Sequence, residues 1–186
     1  MAEAAKKARK KWYPIHASKD FNNAKLGESY VTDKQELLGK HISLNLMTLS
    51  NDPKKQSVTL TFVVTSLQGD MGIADIVTYT TSRSHVRRMM RKNTRKIEDA
   101  FIITTKDGKT CAAKFFIITR FKATNSIATT IRHTLQHFLK ELSKTQSSVE
   151  LFQNLINNKI QIELKNTLKK IYPVAIADIR VLSLTH

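Results

Sequence analysis

The hydrophobic period of this chain changes near residue 120, and that change limits the folds open to it. Before it, apolar residues recur at every second position: Ile42, Leu44 and Leu46 alternate with Ser43 and Asn45, and Val58, Leu60, Phe62 and Val64 are separated by Thr59, Thr61 and Val63. After it they recur every three or four: Ile127, Ile131, Leu135, Phe138 and Leu142, then Leu151, Phe152, Leu155 and Ile156, then Ile160, Leu164, Leu168 and Ile171. Asn51-Asp52-Pro53 predicts the turn between the first two strands. Gly69-Asp70-Met71-Gly72 leads into a further strand over 73–80. Lys106-Asp107-Gly108-Lys109 separates a strand beginning at Phe101 from one over 110–119, and the Asp-Gly pair suits a tight hairpin. Pro173 stops the last of three short helices, and Ala177, Ile179 and Val181 alternate with Asp178 and Arg180 as a closing strand. Strands first, helices later and one strand last predict an α+β fold, mainly antiparallel.

One segment breaks the strand pattern. Val86, Met89, Met90 and Ile97 fall at helical spacing behind the capping candidates Ser82 and Ser84, which predicts a helix from Arg83 to Lys96. Arg83, Arg87, Arg88, Arg91, Lys92, Arg95 and Lys96 surround its apolar stripe, with no acid among them. Like charges at helical spacing repel by a few tenths of a kcal/mol per pair, so a helix of this kind calls for an external anion. Five of the seven cations are arginine, whose fork grips two phosphate oxygens or stacks on a base. A membrane-surface helix would oppose its basic face with Trp, Phe or Leu, whereas Val, Met, Met and Ile suit a protein core.

Charge agrees with this reading. The 186 residues carry a formal +16, and 1–25 together with 83–96 hold fourteen Lys or Arg against two acids, +12 of that total. Such self-repulsion points to a polyanionic partner. Residues 2–11 have five basic residues and no large apolar group, so residues 1–11 are expected to be a tail that orders on RNA through Lys6, Lys7, Arg9, Lys10 and Lys11. The folded body, a single domain over 12–186, is expected to begin at Trp12. Trp12 either stacks on a base or caps the start of the core, and the sequence leaves both open. His133, His137, Lys140 and Lys144 share a stripe that faces a second run of phosphates or water. Arg120 and Lys122, flanking Phe121 at a strand end, carry the same two readings.

Catalytic signatures are missing. His133 and His137 have the spacing of a helical zinc pair, but no glutamate follows the first of them. Ser84 and His85 are helix neighbours pointing about 100° apart, so they form no dyad. Glu98 and Asp99 are adjacent rather than facing, and five glycines supply neither a phosphate loop nor a dinucleotide fingerprint. Cys111, the single cysteine, lies in an apolar strand and is expected to be a buried thiol. No apolar run reaches the ~18 residues that cross a bilayer. No enzyme activity, cofactor, metal or membrane partner is therefore expected, and a reducing, cytoplasmic compartment is.

Ordered pieces of the chain then carry a resemblance: Lys11-Trp12-Tyr13 with Ala17, Leu26-Gly27-Glu28, Leu38-Gly39-Lys40, Leu49-Ser50-Asn51-Asp52, Thr81-Ser82-Arg83, the basic segment to Lys96, Thr104-Thr105-Lys106-Asp107-Gly108 and Ile171-Tyr172-Pro173. As an ordered set they resemble the archaeal and eukaryotic small-subunit ribosomal protein family S-three-a-e, also called e-S-one, over nearly the whole chain. The resemblance implies a barrel-like body and no catalysis. It also implies a place on the platform of the small subunit near the messenger exit region, holding ribosomal RNA and neighbouring proteins, with messenger RNA within reach. The family's basic helix maps onto Arg83, Arg87, Arg88, Arg91 and Lys92, and its late-strand arginine onto Arg180. Thr48 and Ser84 stand where the family usually has Asp, and Val181 where it has a basic residue. The long C-terminal tail of eukaryotic members does not follow His186, so an archaeal-type member is expected. A free-standing RNA-binding regulator is the alternative.

Overall fold

The computed structural model describes residues 9–21 and 23–185. Eight strands and five α-helices follow one another as β1 (Lys11–Ala17), β2 (Lys25–Val31), β3 (His41–Asn45), α1 (Leu46–Ser50), β4 (Val58–Gln68), β5 (Met71–Thr81), α2 (Arg83–Met89), β6 (Lys96–Thr104), β7 (Thr110–Thr119), α3 (Asn125–Thr145), α4 (Ser148–Ile156), α5 (Lys159–Lys169) and β8 (Val174–Thr185). The fold is α+β, as the change of period requires. The chain divides into two compact units, one of the described residues up to Leu44 with Leu60–Val77, the other of Asn45–Thr59 with those from Thr78 on. The strands β4 and β5 pass from one to the other.

In the first unit β1 pairs antiparallel with β2 and, over Ile15–Ala17, parallel with Gly72–Ala74 of β5. β3 pairs with β4, which pairs with β5 across the two-residue connection Gly69-Asp70. Alternation does its expected work: Leu60, Phe62 and Val64 are buried with Ile15 and Leu37, and Phe21 meets Phe62 edge-on, centroids 5.7 Å apart. Gly72 is where the backbone approaches most closely, since a Cβ there would lie 3.3 Å from Val64 Cγ1 and 3.5 Å from Ile15 Cγ1. Lys34 and Asp70 form an exposed ion pair beside the β4–β5 turn.

In the second unit the last residues of β5 pair with β8, β8 with β7, and β7 with β6, all antiparallel. Neither unit's strands close into a ring, so the barrel-like body is realised as open sheet. β7 explains the second unit's core. Its run Phe115–Thr119 is buried throughout, because both faces of the strand are covered. Ala113 and Phe115 face Leu139, Leu142, Leu151 and Ile160 of α3, α4 and α5. Phe116 and Ile118, on the other face, pack against Val86, Met89 and Ile176, so α2 lies opposite the C-terminal helices. Cys111 is buried in the same strand, as expected, and burial pushes its thiol up from its ordinary value. A capping box between Ser147 and Glu150 starts α4, and Asp107 in the β6–β7 turn accepts from the Ser148 N–H (2.8 Å) and hydroxyl (3.1 Å).

Four expectations need correcting. The basic helix ends at Met89, not Lys96. A helix over all fourteen residues would set five cation pairs at i,i+4 spacing, whereas the observed one keeps only Arg83 with Arg87. Ile97 instead enters β6 as a buried strand residue, and Met90 is exposed. Leu46 opens α1 rather than continuing β3, because the Asn45 side chain accepts from the Met47 N–H and caps a helical turn. The first C-terminal helix is long, 21 residues, rather than short. Finally, Leu182 and not Val181 is buried beside Ile179, because a bulge leaves Arg180 unpaired between Ile179, opposite Phe115, and Val181, opposite Lys114.

Candidate nucleic-acid interface

The helix α2 forms because Ser82 caps it, accepting from the His85 N–H at 3.3 Å, and because Val86 anchors it on Phe116 and Ile118. With Val86 turned inward, the residues flanking it turn outward. Arg83, Arg87 and Arg88 are exposed, and so are Arg91 and Lys92 in the loop that follows. That loop is set by Asn93 at φ 65°, a left-handed conformation that Asn tolerates, and by Thr94 Oγ1, which donates to the Arg91 carbonyl at 2.7 Å. Among the described residues no carboxylate lies within ion-pair distance of these five cations.

Two open polar recesses flank the helix. The first, about 300 Å³, is lined by Arg83, Arg87, Lys96, Glu98 and Arg180 over a floor of Val86. Glu98 pairs with Lys96 at 2.6 Å and Arg180 at 3.5 Å, so one carboxylate is set against four cations. The second, about 410 Å³, is lined by Lys54, Gln56, Ser57, Ser82, Ser84, His85 and Arg88 beside Pro53. Burial, and after it the Arg88 charge, lower the His85 pKa from its ordinary 6.5, so this imidazole is neutral at pH 7 and works as a hydrogen-bonding group. Guanidinium forks, ammonium groups and hydroxyls around two recesses are donors suited to phosphate oxygens.

The other expected residues are placed as follows. Lys6 and Lys7 lie outside the described residues. Arg9 and Lys10 are exposed just before β1, Lys11 opens that strand, and Trp12 on it is 64% exposed, which excludes its capping the core. Arg95 is turned inward: its guanidinium donates to the Ala123 carbonyl (2.8 Å) and to Asn125 Oδ1 (2.7 Å), holding the start of α3. Lys96 and Arg180 share Glu98. Arg120 and Lys122 are exposed beside Phe121 after β7, on backbone fixed by the Arg120 N–H donating to the Pro173 carbonyl (2.9 Å) and the Tyr172 hydroxyl to that of Lys122 (3.2 Å). His133, His137, Lys140 and Lys144 lie exposed along α3, with His137 3.5 Å from Glu141.

Comparison with known proteins gives the setting for this surface. The sequence matches the Ribosomal S3Ae family over residues 2–185. The chain belongs to this family. Among its relatives are the small ribosomal subunit proteins eS1 of Saccharolobus solfataricus and Saccharolobus islandicus, each 29% identical over 170 residues, 91% of this chain and 82% of the relative. The eS1 of Methanobrevibacter smithii is 27% identical over 170 residues, 91% of this chain and 88% of its own. Sequence reasoning missed Lys54 and Glu98 as parts of the surface, because the 53–57 turn and strand β6 bring them there from other segments, and it weighed His85, on α2 itself, only as a partner of Ser84.

Proposed function

We propose that this S3Ae-family protein is a non-catalytic constituent of the small ribosomal subunit that binds ribosomal RNA through α2, the loop after it and the basic residues around β1. Its place is the platform near the messenger exit region, in the cytoplasm, beside neighbouring small-subunit proteins. The observation that carries the reading is the set Arg83, Arg87, Arg88, Arg91 and Lys92, exposed and without a carboxylate within ion-pair distance among the described residues. The relatives' name, small ribosomal subunit protein eS1, supports the assembly it works in. Contacts of this kind position the protein on folded RNA rather than read its sequence, and shape and unpaired bases supply specificity.

The test replaces Arg87, Arg88 and Arg91 with Ala and measures binding to small-subunit ribosomal RNA over a range of salt. Each lost phosphate contact removes about 0.7–0.9 from the slope of log K against log salt, so the triple variant is expected to flatten it by roughly 2–3. An unchanged slope refutes the role of this surface. In gradients the chain is expected to travel with small subunits in stoichiometric amount, whereas a free-standing regulator would remain at the top.

A further inference from the structure

The outer face of the β1–β2 pair carries a feature that phosphate binding does not use. Trp12 and Tyr30 are directly opposed cross-strand partners, and their rings lie 5.0 Å apart, tilted by 38°. Trp12 is 64% and Tyr30 51% exposed. The inward face of the same strands buries Tyr13, Ile15 and Val31, so the core has its aromatic and aliphatic side chains without them. Lys10 Nζ stands 5.9 Å from the Tyr30 centroid, and Arg9 is exposed beside it. Further along the face Lys25 is neutralised by Glu28 at 2.7 Å, so the free positive charge sits at the aromatic end.

From this we infer that Trp12 and Tyr30 form a stacking platform for an unpaired RNA base, with Lys10 and Arg9 holding the adjoining phosphate. The inference rests on the RNA-binding reading above and adds to it the kind of nucleotide taken. Stacking needs a base whose π-face is free, which a duplex does not offer, and it tolerates any base because all four have such a face. Charge complementarity selects RNA over an apolar protein segment, since the cations flank the rings rather than ring an aliphatic hollow.

Trp12 is the only tryptophan of the chain, so its fluorescence reports this site alone. The full chain is titrated with an unstructured oligouridine and with a blunt RNA duplex of equal length. Quenching is expected with the single strand and little with the duplex. Trp12→Ala is expected to weaken single-strand binding about 5- to 150-fold without altering the salt slope, Trp12→Phe to retain most of the affinity, and Tyr30→Ala to lose part of it. Salt-dependent RNA binding with an unquenched indole and an unaffected Trp12→Ala variant overturns the platform and leaves the phosphate surface standing. Absence of any RNA binding overturns both. An indole that ignores RNA but becomes shielded on assembly with small-subunit proteins assigns the face to protein and overturns the proposal.

Discussion

Asp178 makes the second unit sensitive to pH in a direction opposite to that of ordinary carboxylates. It lies half-buried on β8 opposite Phe116, with Oδ1 accepting from the Ile179 N–H at 2.7 Å and the Gln161 amide beside it. Burial outweighs these hydrogen bonds and pushes its pKa from the ordinary 3.8 up to about 6. Because the folded pKa is raised, the stabilisation is fully present below the unfolded value near 4 and is lost as pH climbs through about 6. A shift of this size corresponds to about 3 kcal/mol at its limit, of which roughly 2 kcal/mol falls between about pH 4.5 and pH 8. Asp178→Asn keeps the shape and cannot ionise, so its stability relative to the wild type is expected to rise by that amount over the interval. In thermal melts at the two pH values this is a change of roughly 4–8 °C in the difference between the proteins. Melting curves whose difference stays constant with pH would refute the assignment of a raised Asp178.

Two further outcomes separate cations that hold the fold from cations offered to a partner. Arg95→Ala, which strips hydrogen bonds from the Ala123 carbonyl and Asn125, is expected to cost roughly 1–3 kcal/mol in urea denaturation, whereas Arg88→Ala is expected to stay within about 0.5 kcal/mol of wild type while weakening RNA binding. Glu98→Gln releases Lys96 and Arg180 from their shared carboxylate, and RNA titrations at several salt concentrations are expected to show tighter binding and a steeper salt slope.

How much of this could be read in the sequence depends on whether a feature is local. The alternation of β4, the Asp-Gly hairpin between β6 and β7, the Ser82 cap and the three C-terminal helical stripes are written in neighbouring residues, and each was legible. The errors arise where pairing across the sheet overrides a local period. Met90 and Ile97 fit a helical stripe with Val86, yet β7 offers Ile97 a strand partner in Ile117, and a strand also parts the cations that a longer helix would stack. The bulge at Arg180 shifts burial from Val181 to Leu182, which no alternation rule can foresee. Strand β2 carries no alternating signal, because its register shift beside Gly27 breaks the period, and the pairing of Tyr30 with Trp12 is hidden with it.

The candidate surface shows the same division. Counting cations located it, since α2 and its loop hold exposed arginines with no acid between them. The count could not show that three of the neighbouring cations are already engaged: Arg95 with the start of α3, and Lys96 and Arg180 with Glu98. The Ser82 cap and the packing of Val86 hold the backbone from which Arg83, Arg87 and Arg88 project, and these guanidinium groups, without an ion-pair partner among the described residues, keep their hydrogen-bonding capacity for an external anion. In the proposed reading total charge draws the protein to a polyanion, and the local excess of cations without an ion-pair partner among the described residues selects the face that meets it. For that reason removing the one acid in the recess, Glu98, is expected to strengthen RNA binding, although it touches no residue of α2 through an ion pair.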